Sequence, residues 1–362
     1  MKKYYRMFLL SLIFILAGCV PKEIIDEVQL IHAIGFDKKP DESIQGTITY
    51  PVFNMDGNVR VETLTAVSHT SRFIRSKLNT QSPKTLTTGQ LRAVLFNDRF
   101  AEKGILEIVN SLYRDPNVGN RLFLTVVNGN TNELLTTKYT ASALPSMYLA
   151  DLLDQNIKSE NLPKTNLHVF LYSYYGEGMD PFLPIVKTHK KSIQLEGIAL
   201  FKGDEYVGKL NHRQSFPFKV LLDGSKSGNY EVEIEKEKRK GHAVIRNIKG
   251  TTTYKLKKVN GIPQFNIKMK ILGEIHEYPH WLNLEEPANI ALVEKTLTKQ
   301  LQREAQGVVK KFQKLKVDPL GLGDQVRRRE KGWDYKVFQK QYPSMKINVS
   351  TEVEIVESGV IE

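Results

Sequence analysis

His276-Glu277-Tyr278-Pro279-His280 spells H-E-x-x-H. On a helix that spacing puts two imidazoles on one face to bind zinc, with the glutamate poised as base. Here Pro279 stands between the histidines, and a proline inside a helix removes a hydrogen bond and clashes with the preceding turn, at about 3 kcal/mol. The segment also ends an alternating strand pattern, so a turn is expected, and no third ligand is evident nearby. The other histidines are scattered and no G-x-S-x-G elbow occurs. Leu320-Gly321-Leu322-Gly323-Asp324 looks like a fragment of a phosphate loop, yet it lacks G-K-[ST] and a preceding parallel strand. Asp324 is expected instead to cap the following helix. No catalytic, cofactor-binding or metal-binding residue is expected, and no cofactor.

The residue with a clear chemical fate is Cys19, the sole cysteine of 362 residues. Lys2, Lys3 and Arg6 form a positive leader, and Met7 to Leu16 is apolar except for Ser11. Leu16-Ala17-Gly18-Cys19 then matches the bacterial lipobox. Small residues let the chain lie extended in a peptidase groove, and the thiol after them accepts a diacylglyceryl group. Residues 1–18 are therefore read as a cleaved signal peptide, leaving Cys19 as an S-diacylglycerol, N-palmitoyl cysteine. A lone cysteine is usually a small buried hydrophobe, but burial does not explain its place at the end of an export signal. A membrane-spanning helix needs about 20 apolar residues, and this run stops short at Pro21-Lys22-Glu23. Each buried CH₂ contributes about 0.8 kcal/mol, one acyl chain binds marginally, and two should hold. The expected location is the outer face of a cell membrane, held by lipid.

Composition sets the class of the rest. Hydrophobic content of 41% and charged content of 25% are those of a globular protein. Of the formal net charge of +12, three positive charges lie in the signal, leaving +9 on the mature chain. Such a body is attracted to anionic lipid head groups. Nucleic acid is the other usual partner of that charge, and export argues against it. The basic stretches Lys236–Lys240 and Arg327–Lys331 contain acids and no interleaved aromatics, so they read as solvated faces.

Strands are expected at Val28–Phe36, Ser43–Phe53, Glu62–His69, Gln90–Phe96, Arg121–Val127 and Leu167–Tyr172. Helices are expected at Ser71–Thr80, Asp98–Tyr113 and Ala143–Glu160. Gly176, Gly178, Pro181 and Pro184 mark a loop, and a boundary is placed there, dividing residues 19–185 (two subdomains) from 186–362. Ser192–Phe201 and Glu205–Leu210 read as a hairpin, and Ser215–Leu222 as a short helix. Ala243–Val259 and Gln264–Ile275 read as long strands joined at Asn260-Gly261, a favoured turn pair. Pro287 opens a helix to about Leu315 whose stripe of Leu297, Leu301, Ala305, Val308, Phe312 and Leu315 should pack on that sheet. A helix at Asp324–Gln341 and a strand at Met345–Val356 complete the chain. The expected class is α+β, a multi-domain ectodomain of mixed, largely antiparallel sheets with helices on one face.

The mature chain resembles the Ger(x)C family, the lipoprotein C subunits of spore germinant receptors. The likeness runs from the lipobox through Ile34-Gly35-Phe36-Asp37 and is strongest in GQLRAVLFNDRFAEKGI and the following LYRDP, within Gly89–Pro116. It continues in EGIALFKGDEYVGKL (Glu196–Leu210) and in the closing segment with Trp333, Phe338, Tyr342 and Pro343. Asn117-Val118-Gly119 departs from the family's charged pattern. The resemblance implies three mixed α/β domains without enzymatic activity. It also implies work beside a multi-pass A subunit and a transporter-like B subunit in the inner spore membrane, where nutrients trigger germination. Trp333 is expected in the core of an amphipathic helix. Two other readings compete: an exported solute-binding lipoprotein, with a deep interdomain cleft, and a lipid-anchored zinc hydrolase using His276, Glu277 and His280.

Overall fold

Buried apolar runs, alternating strands and one long amphipathic stripe divide the chain between two sheets. The computed structural model describes residues 27–53, 57 and 59–358. The chain enters as β1 (Val28–Leu30), then forms the antiparallel meander β2 (Ala33–Lys38), β3 (Ile44–Phe53) and β4 (Val59–Ser68). Helix α1 (Ser71–Asn79) returns over β3 and β4, and β5 (Thr85–Thr87) pairs in parallel with β1. β6 (Ala93–Asn97) then lies parallel to β2. Two helices follow, α2 (Asp98–Ala101) and α3 (Leu106–Arg114), and then β7 (Phe123–Val127) parallel to β6. Three more helices, α4 (Thr131–Thr136), α5 (Pro145–Lys158) and α6 (Leu167–Tyr175), precede β8 (Phe182–His189), parallel to β7. β9 (Ser192–Lys202) and β10 (Glu205–Asn211) close an eight-stranded sheet in the order β10-β9-β8-β7-β6-β2-β3-β4.

Parallel strands sit in the middle of that sheet because both of their faces are covered. In β6, Ala93 and Leu95 face one core with Leu134, Leu149 and Leu153, while Val94 and Phe96 face another with Ile105, Val109 and Phe170. On the second face Phe36, Phe96 and Phe100 stack with ring centroids 5.6 to 6.0 Å apart. The sheet is thus mixed, as expected, and carries helices on both faces where one was expected. Ile185, where composition divides the chain, lies within β8, and the sheet runs on to Asn211.

Helix α7 (His212–Asp223) leads to the second sheet, β11 (Asn229–Lys236), β12 (Arg239–Val259) and β13 (Ile262–Glu277), an antiparallel meander. Asn260 and Gly261 both have positive φ, 50° and 79°, as the tight turn between long strands demands. α8 (Pro287–Leu315) runs about 44 Å and buries Val293, Leu297, Leu301, Ala305, Val308 and Phe312 against the sheet. Two short helices, α9 (Leu322–Arg327) and α10 (Tyr335–Gln341), precede β14 (Ile347–Ser358), parallel to β13. Phe218 of α7 joins the two halves, 5.2 Å from the Phe182 ring and 5.5 Å from the Phe312 ring.

Local chemistry corrects several expected elements. Leu167–Tyr172 is helix, not strand: Asn166 caps Val169 N, and Leu167, Phe170 and Leu171 are buried at helical spacing. Asp98–Tyr113 is two helices, broken at Gly104 with φ +98°. Asp324–Gln341 is also two, with Gly332 at φ +74° between them. Val28–Phe36 is interrupted after Leu30, so that its start pairs with β5. α4 and β11 were not expected, although Tyr230, Val232 and Ile234 alternate with exposed glutamates. Trp333 lies half-buried ahead of α10, its ring against Tyr335 and Phe338.

The Ile34-Gly35-Phe36-Asp37 stretch has a structural task. Gly35 leaves room for Thr131, whose Oγ1 would lie 2.4 Å from any Cβ there. Asp37 is buried and accepts from Thr131 N at 2.7 Å, Thr131 Oγ1 at 2.8 Å and Asn132 N at 3.0 Å. Its negative charge therefore closes the N-terminus of α4. Asp37→Asn would turn an amide N–H pair toward backbone donors. We expect about 2 kcal/mol of destabilisation, seen as a lower urea midpoint at unchanged slope.

Candidate functional site

Cys19 and its lipobox neighbours Leu16, Ala17 and Gly18 lie outside the described residues. His276 and Glu277 end β13 and His280 follows in a turn, all three exposed. They are not presented from one helix face, as the zinc arrangement requires. Among the described residues, no group of three His, Cys, Asp or Glu side chains is placed to hold a metal. Asp324 is not a cap: Gly321 holds that position. Asp324 lies in the first turn of α9 and pairs with Arg327 and Arg328, each at 2.7 Å. The glycine-rich stretch before it serves a junction instead of a phosphate.

That junction joins the loop after α6 to the loop after α8. Asp180 Oδ2 accepts from Asp318 N at 2.8 Å, and Asp180 Oδ1 from Gly203 N at 3.2 Å. Lys202 Nζ lies 3.2 Å from the same carboxylate. Asp318 Oδ2 accepts from Gly323 N at 2.8 Å, and Gly178 O accepts from Asp324 N at 3.0 Å. Burial pushes the Asp318 carboxyl up to about 7, against hydrogen bonds from Gly323 and Leu322 N–H that favour its charge; Asp180 raises it further and Lys202 lowers it. Burial likewise lifts Tyr335 to about 12 and Tyr342 well above the usual phenol range. The cluster surrounds a cavity of about 80 Å³. Both oxygens of Asp180 and Oδ2 of Asp318 are engaged by backbone donors, while Asp318 Oδ1 is buried without a partner; the cluster ties the two loops together.

A second feature lies between α1 and α3. An apolar cavity of about 250 Å³ has Ile31, Phe36, Ile48, Ile74, Leu78 and Ile108 in its lining. Arg72, Arg75, Glu107, Ser111 and Asp115 line both this cavity and an adjoining polar recess, which Arg114 completes. Ser71 Oγ donates to Glu107 at 3.0 Å, and Asp115 accepts from Thr88 Oγ1 at 2.7 Å and Asn117 N at 3.0 Å. Among the described residues, Arg72, Arg75, Lys77 and Arg114 have no carboxylate partner within 4.0 Å. Neither this cleft nor the junction was expected from sequence. Asp180 and Asp318 meet across most of the second sheet's sequence, and no local spacing announces such a pair. The run of Arg72, Arg75 and Lys77 on one amphipathic helix was the available signal for the recess.

Known proteins resemble the chain along its full length. Residues 21–188 match the model of the spore germination protein N-terminal domain. Residues 196–359 match the spore germination B3/GerAC-like C-terminal model. Spore germination protein GerQC of Bacillus cereus is 31% identical over 360 residues, covering 99% of this chain and 100% of that protein. Spore germination protein KC of Bacillus subtilis is 23% identical, covering 98% and 95%. The crystal structure of the GerBC protein superposes with a TM-score of 0.59 at 18% identity, covering 89% of this chain and 96% of that one. It shares the fold. With both family models matched in order and a relative aligned end to end, the chain belongs to the Ger(x)C family, the C subunits of spore germinant receptors.

Proposed function

We propose that this chain is the lipid-anchored, non-enzymatic subunit of a nutrient germinant receptor. It works on the outer face of the inner spore membrane beside two integral membrane subunits of A and B type. The carrying observation is the full-length likeness to spore germination proteins in a chain whose lipobox ends at its sole cysteine. No helix among the described residues is long and apolar enough to cross a membrane, which fits a body held through lipid at Cys19. The Asp180–Asp318 cluster serves as a junction between loops, with Asp180 held by the backbone N–H of Asp318 and Gly203.

The anchor is directly testable. Mass spectrometry of the native N-terminal peptide should find Cys19 as the first residue, bearing a thioether-linked diacylglycerol and an N-palmitoyl group. Cys19→Ala should abolish palmitate incorporation, change membrane fractionation and impair nutrient germination. A free thiol on native Cys19 would remove the anchor from this reading.

A further inference from the structure

We infer that the α1–α3 face docks on an anionic bilayer, seating a lipid head group among Arg72, Arg75 and Arg114. The inference rests on the proposed anchoring at Cys19 and adds an orientation to it. Eight residues separate Cys19 from Val28, and a chain of that length spans at most about 30 Å. Val28 opens β1, which pairs with β5. β5 in turn abuts α1, where Leu86 N donates to Asn79 Oδ1 at 3.3 Å. Ile31, just after β1, and Leu86 both line the cavity under α1. The anchored end of the chain is therefore delivered to this cleft.

Charge and shape fit a head group there. α1 carries Arg72, Arg75 and Lys77 and no acid. The recess between α1 and α3 adds Arg114, against the carboxylates Glu107 and Asp115, which already accept hydrogen bonds from Ser71, Thr88 and Asn117. Phe73, with Lys77 Nζ 5.4 Å from its ring centroid, and Tyr113 are more than half exposed beside these cations. Aromatic rings flanked by arginine and lysine belong at the level of lipid head groups. Ile74 and Leu78 hold the helix to the sheet, so its outer side is free to lie on a surface.

The test uses the full acylated chain in vesicles. Because Cys19 is the sole native cysteine, Ser76→Cys gives one thiol for an environment-sensitive dye on the outer side of α1. In phosphatidylcholine vesicles containing phosphatidylglycerol, the dye should shift to the blue and be quenched by spin-labelled lipid. Arg72→Gln with Arg75→Gln should lower the docked-to-undocked ratio about fivefold per arginine, roughly twenty-five-fold together. The thermal melt should not move, since both side chains are exposed. Flotation of the same samples reports the anchor separately. A chain that floats with its dye still in water overturns the docking and leaves the anchor standing. A chain that does not float overturns the anchoring reading itself. Equal quenching in phosphatidylcholine alone, or shielding only when receptor membrane subunits are present, would also overturn a head-group seat.

Discussion

Gly178→Ala should destabilise the protein by about 2 to 4 kcal/mol, a large share of the roughly 5 to 15 kcal/mol that holds an ordinary domain folded. Gly178 has φ +86°, and a Cβ built there would lie 2.4 Å from Asp324 N and 2.5 Å from the carbonyl carbon of Gly323. Both are backbone atoms with no rotamer to yield. The left-handed backbone contributes about 1 kcal/mol of this, and forced separation of packed segments about 1 to 3 more. Gly332→Ala separates the two effects. Its φ is +74°, yet a Cβ there meets nothing within 4 Å, so only the backbone effect of about 1 kcal/mol is expected. Urea unfolding of both variants measures the difference. Equal midpoints would mean that the two loops are not in close contact. Gly323→Ala should resemble Gly178→Ala, because its Cβ would lie 2.7 Å from Gly178 Cα and 2.8 Å from the Phe338 ring.

That junction marks where reading the chain by itself stops. Elements whose reason is local were legible. The β12–β13 hairpin follows from strict alternation around Asn260-Gly261, and α8 from one stripe opened by Pro287 and ended at Lys316, with φ +57°. Elements with a nonlocal reason were not. β6 and β7 were legible as buried strands, but such a run does not say which strands flank it or in which direction. The aromatic-rich Leu167–Tyr175 has both strand-like composition and helical spacing; the choice came from Asn166 at its start and from the single core that Leu167, Phe170 and Leu171 enter together. Glycines 104 and 332 cut helices that periodicity alone would continue.

The candidate sites divide in the same way. The lipobox is contiguous, so its chemistry is written in order along the chain. H-E-x-x-H is contiguous too, and the element around it, a strand end followed by Pro279, denies it the helix it needs. The Asp180–Lys202–Asp318 cluster is assembled from two separated loops and the end of β9, and only the packing of the two halves brings them into one low-dielectric place. Gly321 and Gly323 look like a phosphate loop in sequence because both tasks need backbone to approach closely. Here the approaching group is the Gly178 backbone at Gly323 and the Met179 side chain at Gly321.

Asp318 should make the protein less stable as pH rises through neutrality. Its carboxyl titrates near 7 in the folded chain against an ordinary 3.8, because burial penalises its charge. The native state therefore binds this proton more tightly than the unfolded state does. Its stabilising contribution is complete below about pH 4 and is lost as pH climbs through 7, at roughly 1.4 kcal/mol per pH unit. Between those limits the loss is on the order of 4 kcal/mol. Asp318→Asn keeps an oxygen for Gly323 N and removes the titration, so the variant should gain on the parent from pH 5 to about pH 7 and level off by pH 8. The comparison must be between the two chains, since other carboxylates act in the opposite sense. Burial alone would raise Glu196, but hydrogen bonds from Lys209, Asn128 and Lys187 outweigh it and hold its carboxyl below the usual range. That group favours the folded state above its unfolded pKa in parent and variant alike, and cancels. Urea unfolding at pH 5 and 8 decides the matter: parallel profiles for the two chains would mean that Asp318 stays ionised in the junction. A converging or crossing pair would instead show that a proton on Asp318, beside Asp180 and Lys202, helps to hold the two loops together.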